Sequence, residues 1–88
     1  MYNLKYEKKF LKKIKDIPKK EQKEIKKEIK GLKKEPKKKN TKDLNGKYKG
    51  YRRLRVGNYR VIYSIKKEEL VILIINVGHR KEIYKILS

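Results

Sequence analysis

An α+β fold is predicted by three features of the chain. Apolar residues recur at helical spacing between Phe10 and Leu32, strand-like runs occupy Tyr51 to Val77, and a Gly57-Asn58 turn joins the first two of those runs. The expected architecture is an N-terminal strand, an antiparallel helical hairpin, then a three-stranded antiparallel meander forming one sheet, and a short C-terminal tail. With 88 residues the chain reads as a single domain spanning residues 1–88. It leaves no room for a second core, so a working surface has to be an open face or a shallow groove.

The elements follow in order. Tyr2, Leu4 and Tyr6 alternate with Asn3 and Lys5, the period of a short strand with one face on a core. Phe10, Leu11, Ile14 and Ile17 then recur at helical spacing until Pro18 restricts its predecessor and sets a boundary. A second stripe, Ile25, Ile29 and Leu32, predicts another helix that Gly31 weakens near its end and Pro36 closes. Glu24 lies about one turn from Lys20 and Lys27, whereas Glu28 has no lysine at that spacing, so lysine dominates the solvent face.

The segment KKKNTKDLNGKYKG is basic and turn-rich, and reads equally as an ordered loop or a solvated connector. Beyond it, strands are expected at about Tyr51 to Val56, Tyr59 to Ile65 and Leu70 to Val77. Tyr59, Val61, Tyr63 and Ile65 make one face of the middle strand, and Arg60, Ile62 and Ser64 the other. LVILIINV is apolar on both faces, as a central strand should be. The tail HRKEIYKILS presents Ile83, Tyr84 and Leu87 on a short strand or a last helical turn.

Charge bears on partners. Lysine and arginine number 29 against 10 acidic residues, a formal net charge of +19, which points to RNA, DNA or a strongly acidic protein. Lysine and glutamate enrichment also has a bland source in heat-adapted proteomes. Cysteine is absent, which excludes disulfides, thiolate nucleophiles and thiolate metal sites, and His79 alone cannot build a zinc centre. No cofactor and no metal is expected. The start MYNLKYEKKF carries no secretory hydrophobic segment and VILIINV is far shorter than a membrane span, so the expectation is a soluble cytoplasmic protein with no membrane partner.

The arginines are Arg52, Arg53, Arg55, Arg60 and Arg80, all in the second half, whereas the first half uses only lysine as its base. A guanidinium fork suits two-point recognition of phosphate; a lysine is a mobile point charge. Arg53 and Arg55 share a strand face with Tyr51, and if the hairpin register turns Arg60 the same way, guanidinium groups converge on one patch. Arg80 follows Gly78 and His79, where a strand end releases its side chain. The structural alternatives are a sheet-edge cap for Arg80 and a packed ring for His79. Tyr84 lies among lysines outside any core stripe, placed to stack on a base or exchange a proton.

The string LNGKYKGYRRLRVGNYRVIYSI followed by INVGHRKEIYKIL resembles the RelE/ParE toxin superfamily, in particular its RelE-like ribosome-dependent endoribonucleases, and the resemblance covers nearly the whole chain. It implies the toxin of a type II toxin-antitoxin system that cleaves mRNA in the ribosomal A site. The implied reaction is attack of the 2′-hydroxyl on the phosphate, without a metal. By this resemblance Arg60 and Arg80 hold the scissile phosphate, Arg53 stands where several relatives have lysine, and Tyr84 stacks on the message and assists proton transfer. Lys47, Lys49, Arg52, Arg55, His79 and Lys81 are the accompanying RNA-binding candidates. Where well-studied members carry a second lysine as general base, this chain has Tyr51. The implied partners are a RelB-like antitoxin, the ribosome with its mRNA and ribosomal RNA, and operator DNA only together with the antitoxin. The same scaffold includes ParE-type members that poison DNA gyrase instead of cutting RNA, and that is the alternative function.

Overall fold

The computed structural model describes residues 1–87. Its elements are β1 (Asn3–Tyr6), α1 (Lys8–Ile14), α2 (Lys19–Gly31), β2 (Thr41–Asp43), β3 (Arg52–Val56), β4 (Tyr59–Lys66), β5 (Val71–His79) and α3 (Ile83–Leu87), with 3-10 turns at Gly46–Tyr48 and Lys67–Glu69. The tail forms a helical turn, while Ser88 and the Ile86 and Leu87 side chains fall outside what is described. No described helix is long and apolar enough to cross a membrane.

The expected α+β class is present, but the sheet has five strands in the order β1-β5-β4-β3-β2 and not only the three of the meander. The meander β3-β4-β5 is its antiparallel centre. β1 joins it parallel to β5, with Leu4 opposite Ile72. β2, inside the segment read as loop or connector, pairs antiparallel with β3. Both additions are edge strands; the partner of β1 lies at the other end of the chain, whereas β2 pairs with the next strand.

One sheet face carries the helices. Phe10 and Ile14 of α1, Ile17 of the connection, Ile25 and Ile29 of α2, and Leu32 after it pack on Leu54, Val61, Tyr63, Ile72, Ile74 and Val77. The alternation that puts Val61 and Tyr63 inward turns Arg60, Ile62 and Ser64 to the opposite face. A register shift at Ile62/Tyr63 inserts an extra residue of β5 before the alternation resumes with Val77. Ile62 and Ile83 are fully buried without belonging to the helix-side cluster, so α3 covers part of the second face.

Gly31 owes its place to packing more than to helix termination. A Cβ there would stand 2.7 Å from the Lys38 ammonium, which reaches back to the Glu28 carboxylate at 2.9 Å and the Glu28 carbonyl at 2.8 Å. Asn40 donates to the same carboxylate at 3.0 Å and to the Arg55 carbonyl at 2.9 Å. This clamp fastens the end of α2 to the β2–β3 region. It supplies Glu28 with the cation that its own helix lacks, and these donors, Lys38 first, hold its carboxyl below the usual carboxylate range despite partial burial.

Candidate functional site: an open arginine face

Two strands and one turn build the arginine face. On β3, Arg53 and Arg55 point away from the helices, and register sets Arg55 directly opposite Arg60 of β4. Arg60 in turn faces Gly78 of β5, which has no side chain to cover it. The hairpin between β3 and β4 turns at Gly57 with φ +58°, the positive angle that a two-residue turn with glycine first requires. Arg60 folds back over that turn and donates from Nη1 to the Gly57 and Tyr59 carbonyls, each at 2.9 Å. Arg80 leaves the end of β5 with its backbone N–H bound to the Asn58 carbonyl at 2.7 Å, so its exposed side chain starts beside the same turn.

Electrostatics couples these groups. The Arg60 guanidinium sits below its ordinary pKa range, first because burial disfavours its charge and then because Arg53, Arg55 and Arg80 repel it, with Tyr84 acting the other way. The Arg53 Nε is buried without a hydrogen-bond partner, an arrangement that costs about 1–3 kcal/mol. No described carboxylate forms an ion pair with Arg53, Arg55, Arg60 or Arg80. The face carries four arginines with which no described carboxylate is paired, an arrangement chemically able to hold an anion.

The rim is aromatic and basic. Tyr84 of α3 is 38% exposed, its ring lies 6.2 Å from that of Tyr48, and its carbonyl accepts from the Tyr48 hydroxyl at 3.1 Å. Lys47 places its ammonium 5.3 Å from the Tyr48 ring centre. Lys49 and Lys81 are exposed on the turns after the Gly46–Tyr48 segment and after β5. Tyr48 proves to be the support under Tyr84. The Tyr48-Tyr84 pairing spans 36 residues and leaves no local signal.

Two of the expected RNA contacts do not join this face. Arg52 alternates with Arg53 and turns to the helix side, where only 10% of its side chain is exposed. Its Nη1 donates to Asp43, Nη2 to the Thr41 hydroxyl at 2.7 Å and Nε to the Tyr63 hydroxyl at 3.1 Å, while Tyr63 donates to the Pro36 carbonyl. Burial alone would depress this guanidinium, but the bonds to Tyr63 and Asp43 outweigh it and raise the pKa. Arg52 therefore ties β2 and the Pro36 turn to the sheet. His79 pairs with Tyr59 in the register, opposite in facing to Arg60, and its ring meets Tyr59 edge-on at 5.9 Å. It lines a cleft of about 370 Å³ with Lys20, Glu24 and Asn58 on the α2 side. Among the described residues no group of three or more histidine or acidic side chains is placed to hold a metal ion.

The fold is a small five-stranded sheet with a helical hairpin on one face and an arginine-rich face on the other. The family described as ParE toxin of type II toxin-antitoxin system, parDE, matches residues 4–84, and the chain belongs to it. Solved structures place the fold in the wider RelE/ParE superfamily. The RelE toxin of the RelB-RelE antitoxin-toxin complex from Methanococcus jannaschii is 31% identical, with a TM-score of 0.74 over 94% of this chain and 98% of that one. The archaeal RelE-RelB complex from Pyrococcus horikoshii OT3 is 30% identical, with a TM-score of 0.76 over 90% and 94% of the two chains. A YoeB/ParE toxin from Agrobacterium tumefaciens shares the fold at 16% identity, with a TM-score of 0.76 over 88% and 96%. No curated protein matches by sequence.

The family match corrects the expected activity. The resemblance implied a ribosome-dependent mRNA endoribonuclease, but the matching family is the ParE toxin, the branch that stood as the alternative. The roles expected of Arg60, Arg80, Tyr84 and Arg53 in cutting RNA belonged to that reading of the activity.

Proposed function

We propose that this protein is the toxin of a type II pair that inhibits DNA gyrase as an interaction module and does not cut RNA. The observation that carries the reading is the ParE family match across residues 4–84. The arginine face is its contact surface: Arg53, Arg55 and Arg80 repel the Arg60 guanidinium, and no described carboxylate is paired with any of the four. A partner that presents anions there relieves the repulsion.

The restraining partner is a cognate antitoxin, in keeping with the antitoxin-toxin complexes of the relatives. A groove of about 510 Å³ between α1 and α2 suits an acidic amphipathic segment of it. Tyr6, Phe10, Leu11 and Ile14 form its apolar floor, and Lys15 and Lys26 stand at its rim.

Two assays run side by side test the function. Purified toxin added to gyrase and relaxed plasmid is expected to abolish supercoiling, and message in a translating extract is expected to stay intact. Unimpaired supercoiling at toxin excess, or message ends mapped to ribosome-occupied codons, overturns the proposal.

A further inference from the structure

The charges of α2 are sorted laterally. At about 100° per residue, Ile25, Ile29 and Leu32 face the core, and Lys19, Lys20, Lys23, Lys27 and Lys30 fall together on the far side. The glutamates Glu21, Glu24 and Glu28 all lie on one flank, and Glu28 is already held by Lys38. A shallow surface lined by Lys19, Lys20, Lys23, Glu24 and Lys27 runs along the helix. Mixed signs interspersed around the exposed face would have made a solvating surface; these are separated into a lysine row and an acidic edge.

We infer that this row is a second binding surface, and that it holds the backbone of duplex DNA without reading its sequence. Lysines are mobile point charges suited to phosphate tracking, and the row contains no arginine fork to read a base and no aromatic ring to stack on one. Single strands are held by interleaved aromatics, which the lysine face of α2 lacks. Lys19, Lys23 and Lys27 are spaced about 6 Å apart along the helix axis. That step is near two phosphates of one B-DNA strand, at about 3.4 Å each, and four-carbon stems absorb the difference. The formal charge of +19 draws a polyanion toward the molecule, and the row gives it a place to lie. The surface is on the helix side of the sheet, opposite the arginine face, so both can be occupied at once. The choice of DNA over double-stranded RNA rests on the proposed gyrase reading; the lysine row itself does not.

Fluorescence anisotropy of a labelled DNA duplex, titrated with the full chain between about 50 and 200 mM salt, tests the inference. About four phosphate contacts predict a log K against log salt slope near −3.6. The combined variant Lys19→Gln, Lys23→Gln, Lys27→Gln should lower that slope by about 2.7 and weaken binding about 10²-fold at 0.1 M salt. A variant with the same loss of charge elsewhere, Lys42→Gln, Lys66→Gln, Lys67→Gln, should keep the slope. Circular dichroism checks that both remain folded. An equal fall in the two variants, no binding at low salt, or tighter binding to single strands or to duplex RNA overturns the inference. The supercoiling assay separates the two proposals. Duplex binding without gyrase inhibition sinks the function alone, and inhibition without duplex binding sinks this inference alone.

Discussion

Arg52 and Arg60 stand on adjacent strands of one sheet and are treated in opposite ways. Arg52, on the helix side, spends its donors on Asp43, Thr41 and Tyr63. Arg60, on the open side, meets two carbonyls of its own turn and the repulsion of Arg53, Arg55 and Arg80. The first arrangement raises the charge's stability in the fold and the second lowers it. An arginine that fastens edge strand to core is structural, whereas a crowd of cations left without acids costs the isolated protein something that a bound partner returns.

The sharpest way to break this comparison is to remove the paired arginine. Arg52→Met should cost about 2–3 kcal/mol, because it removes the donors to the Tyr63 and Thr41 hydroxyls and to Asp43 and so unties β2; urea unfolding reads this directly. An unchanged midpoint would mean that the network stabilises nothing.

Arg60→Met should do the reverse. Stability is expected to hold or rise by about 0.5–1 kcal/mol as repulsion among the cations is relieved, while inhibition of supercoiling falls at least about tenfold. If the variant unfolds more easily and still inhibits, the open face is structural and the contrast with Arg52 dissolves.

A smaller effect comes from the clamp that ties α2 to the sheet. The folded-state pKa of Glu28 is depressed, so its contribution is present above the unfolded carboxylate value and disappears as pH falls through the folded one. Glu28→Gln should flatten that part of the stability profile on the acid side and leave the slope near neutrality unchanged, as followed by denaturant midpoints across pH. An acid limb identical to that of the native chain would discount the clamp.

The smallest effect is at Gly31. Alanine there gains about 1 kcal/mol of helix propensity but meets the Lys38 ammonium, so Gly31→Ala should leave overall stability within about 0.5 kcal/mol. The telling change is in Glu28, whose titration, followed by NMR, should move up toward the ordinary carboxylate range as Lys38 is displaced.

Residues with local periodicity announced themselves in the linear chain. Phe10, Ile14, Ile25 and Ile29 declared two helices, the alternation from Tyr59 to Ile65 declared a strand with distinct faces, and Gly57-Asn58 declared its hairpin. Even the gathering of Arg53, Arg55 and Arg60 was readable up to the choice of register. Short-range sterics and the periods of helix and strand decide such features, and both lie within a few residues. The likeness to the RelE/ParE superfamily was also legible, but its motifs are shared by branches that do different work, so the expected cutting activity did not follow from them.

Other features depended on chain segments far apart in sequence. β1 found β5 and Thr41–Asp43 became a strand because the meander offered open edges. Arg52 became structural because Asp43 and Tyr63 arrived beside it, and Tyr63 in turn reached a carbonyl 27 residues away. Glu28 found its cation 10 residues on, in a loop. Periodicity says which residues want a core or a partner; only the closed fold, where distant hydrogen-bonding groups must be satisfied together, decides which partner each receives.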